Sequence, residues 1–162
     1  MSDRHATHAA FMTKAAQACS SANVLLELGD VDGAVNRAYY AMFDAARAAL
    51  AVSGTGEFPD IVSRTHSQVI GDFGKHLVQS GLVSRDLGRL LNRAFEIRRV
   101  ADYNGDSVQA GDARELVDKA KVFVAAMQAV VLAKENPQQS EQAQNTEVEK
   151  RMSRKRNQDL ER

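Results

Sequence analysis

Between Asn36 and Leu50 the chain reads NRAYYAMFDAARAAL, with apolar residues returning at helical spacing. Wound at about 100° per residue, the segment separates into two faces. Val35, Tyr39, Met42, Phe43, Ala46, Ala49 and Leu50 gather on one side, and Arg37, Tyr40, Asp44 and Arg47 form a polar stripe on the other. A wide apolar face has to be buried against other elements, so this segment commits the chain to packed helices. The stripe has two readings: the solvated back of a core helix, or one wall of a polar cleft.

A second stretch sharpens the choice. Leu87, Leu90, Leu91, Ala94 and Phe95 define another apolar stripe, and the next turns along it are occupied by Arg98, Ala101 and Asp102. Arg98 points within about 20° of Leu87, whereas Arg99 points well away. An arginine aimed inward is costly unless it is paired or lines a wet cleft. Asp102, four residues on, supplies a partner, although Arg before Asp is the less favoured order in an isolated helix. The pattern fits a buried Arg98–Asp102 pair that fixes helix packing, and equally a cleft carrying positive charge.

The remaining segments are also helical. Phe11, Ala15, Ala18, Ala22, Leu25 and Leu26 predict a first helix over 5–28, stopped by Gly29 and rich enough in alanine for close approach to a neighbour. Asp30 is the expected N-cap of the second helix, and so short a link implies an antiparallel hairpin. After a loop over 53–64, Thr65 or Ser63 caps a third helix bearing His66, Val69, Ile70, Phe73 and Leu77 on one side. Ser84 caps the fourth helix, which ends near Tyr103, before the turn signal Asn104-Gly105-Asp106. A fifth, over 111–134, buries Leu116, Val117, Ala120, Phe123, Val124, Met127, Val130 and Val131. The expected architecture is an all-α bundle of four main helices plus a shorter one, over residues 1–134. Residues 135–162 hold only Ala143, Val148, Met152 and Leu160 as apolar side chains, so they form a polar tail, disordered or ordered by a partner. Its basic run, Lys150, Arg151, Arg154, Lys155 and Arg156, suits phosphates or an acidic partner.

Composition removes several function classes. Lys plus Arg equals Asp plus Glu, at 21 each, so any contact with RNA has to come from a local patch. The single Cys19 rules out an intramolecular disulfide and fits a cytoplasmic location. No apolar run approaches membrane-spanning length, so no membrane partner is expected. The four histidines show no metal-ligand spacing, no phosphate-binding glycine loop follows a strand, and no cofactor is expected. His66 alone reads more readily as a structural histidine than as a catalyst.

The two organising stretches also carry a family resemblance. RAYYAMFDAARAAL, a helix containing RTHSQVIGDF, and then RRVADY resemble the HEPN superfamily of small α-helical domains. The match is closest to its stand-alone prokaryotic branch, in which Arg-x-x-Ala-Asp-Tyr ends the penultimate core helix, and it covers roughly residues 5–134. The resemblance implies a HEPN-like antiparallel bundle, a homodimer, and a toxin–antitoxin component that cleaves RNA without a metal at the dimer cleft. Its antitoxin is expected to be a nucleotidyltransferase. The family's site is an arginine followed, after four to six residues, by a histidine. Arg98 matches the arginine, but Tyr103, Asn104 and Gly105 fill the window and no histidine does. Three arrangements answer that gap: Tyr103 with Asp102 takes over catalysis, His66 supplies an imidazole from another helix, or the domain is a non-catalytic module that binds a nucleotidyltransferase or a nucleotide. The candidate catalytic residues are therefore Arg98, Asp102 and Tyr103, with Arg37, Tyr40, Asp44, Arg47 and His66 lining the cleft.

Overall fold

The computed structural model describes residues 2–53, 61–103 and 108–137, with side chains over 7–53, 61–102 and 108–137. All its regular elements are helical: α1 (Ser2–Glu27), α2 (Val31–Val52), α3 (His66–Asp72), which runs straight into a π-wound segment (Phe73–Val78), α4 (Arg85–Tyr103) and α5 (Ala110–Glu135). The all-α bundle of four long helices and a shorter one is thus present. The centre of the 53–64 loop, the turn at 104–106 and the tail beyond 137 lie outside the described residues.

Local chemistry explains the boundaries. Gly29, at φ 80°, takes the left-handed conformation that closes α1. Its N–H donates to Leu26 C=O (3.2 Å) and that of Asp30 to Leu25 C=O (2.9 Å), which satisfies two of the carbonyls a helix end exposes. The Asp30 carboxylate then accepts from Gly33 N–H (2.9 Å) and starts α2. Thr65 and Gln68 form a reciprocal capping box at α3, and Ser84 Oγ accepts from Leu87 N–H (3.4 Å) at α4. The π winding shows in the bond from Gln79 N–H to Gly74 C=O (3.0 Å), one residue wider than the α pattern. It brings Phe73 and Leu77 inward together, and Phe73 stacks on Phe123 of α5 with centroids 5.6 Å apart. Gly88 lets α4 lie against this segment, because a Cβ there would stand 3.0 Å from a Val78 methyl.

α2 is the central element. Ala34, Val35, Ala38, Tyr39, Ala41, Met42, Phe43, Ala45, Ala46, Ala48, Ala49 and Leu50 are all buried; between its two ends, Asn36, Arg37, Tyr40, Asp44, Arg47 and Ala51 form its less enclosed strip. Small side chains on both α1 and α2 permit the two to pack closely, with Phe11, Met12, Ala15, Ala18 and Ala22 buried from α1. α3 and α4 close the other sides, and Asp32 at the start of α2 accepts from Val108 N–H just before α5 (3.0 Å). Leu91 and Ala94 of α4, and Ala113, Leu116, Val117, Ala120, Phe123, Met127 and Val131 of α5, complete the core. Val124 and Val130 are only half-buried. No helix of the described residues is long and apolar enough to cross a membrane.

Candidate functional site

The inward arginine of α4 finds its partner. Arg98 Nε lies 2.9 Å from Asp102 Oδ2, with the two side chains 18% and 31% exposed. The contact is charge against charge: the Arg98 Nε–H is buried and not aligned with that oxygen, so it makes no hydrogen bond. Asp102 Oδ1 meets Asn36 Nδ2 of α2 at 3.5 Å, so the carboxylate links the two central helices. The guanidinium carbon of Arg98 stands 5.6 Å from the Tyr39 ring centroid and 5.4 Å from that of Tyr40, within reach of both π faces.

His66, at the first turn of α3, joins the same cluster. Its Nδ1 lies 2.6 Å from the Tyr39 hydroxyl. Its ring stacks on Phe43 (4.5 Å, 26°) and Phe95 (6.0 Å, 15°) and meets Tyr40 nearly edge-on (5.8 Å, 73°). Burial, with the positive charges of Arg98 and then Arg47, holds the imidazole below its ordinary value, so it is neutral at neutral pH. Burial pushes the Tyr39 phenol well up, against the opposing effect of Arg98, so Tyr39 keeps its proton. Tyr39 is fully buried, and His66 is its hydroxyl's one hydrogen-bond partner among the described residues. The phenol therefore donates to Nδ1, and the imidazole carries its own proton on Nε2. Arg98 and His66, 32 positions apart in sequence, thus share Tyr39 and Tyr40 as a common platform.

The polar stripe of α2 divides between two duties. Arg37, Tyr40 and Asp44 line a cavity of about 270 Å³ between α1 and α2, together with Lys14, Gln17, Ala18 and Ser21. Arg37 also lies over the Tyr40 ring, 5.4 Å from its centroid. Arg47 turns elsewhere. It pairs with Asp44 (3.3 Å), donates to the carbonyls of Ile61 (3.3 Å from Nε) and Val62 (2.9 Å), and covers the Phe11 ring at 4.0 Å. Its surroundings fit a residue that anchors the chain entering α3. Burial raises the Asp44 carboxyl, opposed chiefly by Arg47 and also by Lys14 and Arg37.

The Tyr103 side chain lies outside the described residues. No group of three or more His, Cys, Asp or Glu among the described residues is placed to hold a metal ion. Sequence reasoning missed Asn36 and Lys14. Asn36 had a signal, since it lies three and four positions before Tyr39 and Tyr40 and so on their side of the helix. Lys14 had none, being one exposed cation on an alanine-rich helix.

A helical bundle with a cation and an imidazole on a shared aromatic platform defines a class, and comparison with known proteins supplies the family. Residues 8–130 match the HEPN domain model, and the chain belongs to that family. It is similar to a UPF0332 protein of Thermotoga maritima, 31% identical over 120 residues, covering 73% of this chain and 86% of that protein. A UPF0332 protein of Gloeobacter violaceus is 32% identical over 115 residues, covering 70% and 86%. A protein of Methanocaldococcus jannaschii named as a candidate toxin is 31% identical over 105 residues, covering 65% and 74%.

Proposed function

We propose that this HEPN protein is the toxin of a toxin–antitoxin pair and cleaves RNA without a metal, with Arg98 and His66 holding the scissile phosphate. The observation that carries the reading is the meeting of Arg98 with a neutral, proton-bearing His66 on Tyr39 and Tyr40. In this reading the ribose 2′-hydroxyl attacks the adjacent phosphorus in line, and the 5′-oxygen departs with a proton taken from water, to leave a cyclic phosphate and a 5′-hydroxyl end. Charge grows on the phosphoryl oxygens as the bond forms, and a guanidinium with an imidazole N–H stabilises it there. Asp102, held beside Arg98, is the nearby carboxylate able to accept the attacking proton, and Tyr103 is its neighbour on the same helix end. Relatives named as candidate toxins support the toxin part of this reading. The site works as a homodimer cleft bordered by α2 and α4, and a nucleotidyltransferase-type antitoxin silences it.

The direct test is digestion of a mixed cellular RNA pool in EDTA by wild type, Arg98→Ala, His66→Gln and Tyr103→Phe, with the new ends typed for cyclic phosphate. Cleavage that disappears in folded Arg98→Ala and drops in His66→Gln is the expected result. An inert wild type sinks the nuclease reading. A monomeric mass by light scattering at micromolar concentration sinks the dimer.

The Arg98–Asp102–Asn36 linkage supports a second reading, in which Arg98 serves packing and the domain binds a nucleotidyltransferase or a nucleotide without catalysis. Arg98→Ala would then cost about 3–5 kcal/mol of stability, as expected for breaking a buried pair.

A further inference from the structure

We infer that the cavity between α1 and α2 is a second phosphate subsite, which takes a backbone phosphate of the single-stranded RNA whose scissile phosphate sits at Arg98. This rests on the RNA-cleaving reading above and extends it along the strand.

Charge gives the first argument. Lys14 and Arg37 line the cavity from opposite helices, are exposed, and make no salt bridge among the described residues. The cavity's one carboxylate, Asp44, is already engaged by Arg47 at 3.3 Å. Its charge is offset chiefly by Arg47 and in part by Lys14 and Arg37, so the cavity keeps two cations against one carboxylate that has its own partner. Gln17 and Ser21 add polar groups on the α1 wall, although the Ser21 hydroxyl donates to Gln17 C=O (3.0 Å) and so offers a ligand mainly its oxygen.

Continuity gives the second. Tyr40 belongs to both places: it lines the cavity and is flanked by the guanidinium carbons of Arg37 and Arg98, each 5.4 Å from its ring centroid. The two guanidinium carbons therefore lie at most about 11 Å apart, close enough to meet neighbouring phosphates of one strand. A volume of about 270 Å³ lies just below the usual range of small-molecule pockets and suits one phosphate with its sugar. A chain whose formal net charge is zero gains RNA affinity only from such a local track of cations.

The test measures binding separately from cleavage. A fluorescein-labelled 2′-O-methyl oligouridine of about 12 nucleotides lacks the attacking hydroxyl, and its anisotropy is followed across a salt series with the full-length protein. Each phosphate contact on a single strand contributes about 0.7 to the slope of log affinity against log salt, so Lys14→Gln with Arg37→Gln, which empties a one-phosphate subsite, should lower the slope by about 0.7. Affinity near 0.1 M salt should fall about fivefold with the melting temperature retained. The charge-matched control Arg85→Gln with Arg89→Gln, on the exposed first turn of α4, should leave the slope unchanged. An unchanged slope in the Lys14/Arg37 variant, while Arg98→Ala still abolishes cleavage, overturns the subsite and spares the nuclease reading. A reduced slope in a protein that never cleaves natural RNA supports the subsite and overturns the nuclease reading. A wild type that binds no oligonucleotide overturns both.

Discussion

Replacing Arg98 by alanine probes packing and chemistry together, and its cost can be worked from the contacts. The ion pair with Asp102 is neither sealed nor open, with side chains 18% and 31% exposed. Its loss therefore falls between a surface pair and a buried one, at about 1 kcal/mol. Asp102 keeps Asn36 at 3.5 Å and enough exposure to be rehydrated, so the penalty of a stranded buried charge is largely avoided. Losing the contacts to Tyr39 and Tyr40 adds about 0.5 kcal/mol each, and the buried stem adds a similar amount. The total is about 2.5 kcal/mol, or roughly 10 °C in melting temperature for a domain of this size. Arg98→Met, which keeps a stem, should lose about half as much. Thermal and urea unfolding of both variants, followed by circular dichroism, provides the measurement. A loss above about 5 kcal/mol, or failure to fold, would mean a sealed pair and refute the estimate. No loss would mean the guanidinium does not rest on the tyrosines. Arg98 is also one cause of the lowered His66 value, so NMR titration of the alanine variant should find the imidazole shifted back upward.

Two further outcomes follow from neighbouring contacts. Arg47→Ala strips donors from the Ile61 and Val62 carbonyls and uncovers Phe11, so it should cost about 2 kcal/mol in urea unfolding; a cost under about 0.5 kcal/mol would show that the loop needs no anchor. His66 is held below its ordinary 6.5, so the unfolded chain takes up a proton before the native state does. The stability it contributes is complete above that value and is lost as pH falls through the folded one. Urea midpoints at about pH 7.5 and pH 5.5 should therefore drop further for wild type than for His66→Gln, and equal drops would refute the shift.

The fold was largely legible because its signals are local. Asp30, Thr65 and Ser84 cap the helices they were expected to start, and Gly29 closes α1 by needing only the freedom of one residue. Helical phase also placed Arg98 inward with Asp102 beside it, since both belong to one continuous helix. The phase of α2 separated Arg37, Tyr40 and Asp44 from the core but could not assign Arg47, whose partners are carbonyls at Ile61 and Val62. His66 shows the same limit. Its place beside Tyr39 depends on how the connection over 53–64 returns the chain to α2, and periodicity carries no information across a loop.

That limit bears on how the missing histidine should be understood. Spacing along one helix matters to a phosphate only because it sets where two side chains arrive, and arrival can be achieved by another route. Here α3 delivers an imidazole to the rings that Arg98 covers, and Tyr39 fixes its orientation through a 2.6 Å contact. In the proposed reading His66 takes that place, and the chemistry changes with the source. An imidazole whose Nδ1 accepts from a buried phenol exposes an N–H and no lone pair, so it can hold a phosphoryl oxygen but cannot remove a proton there. On that reading the proton goes to another group, and Asp102, paired with Arg98 at the same helix end, is the proposed acceptor. A carboxylate is a weaker base than an imidazole at neutral pH, so cleavage by this arrangement is expected to be slow and to draw most of its rate from the cations that hold the strand.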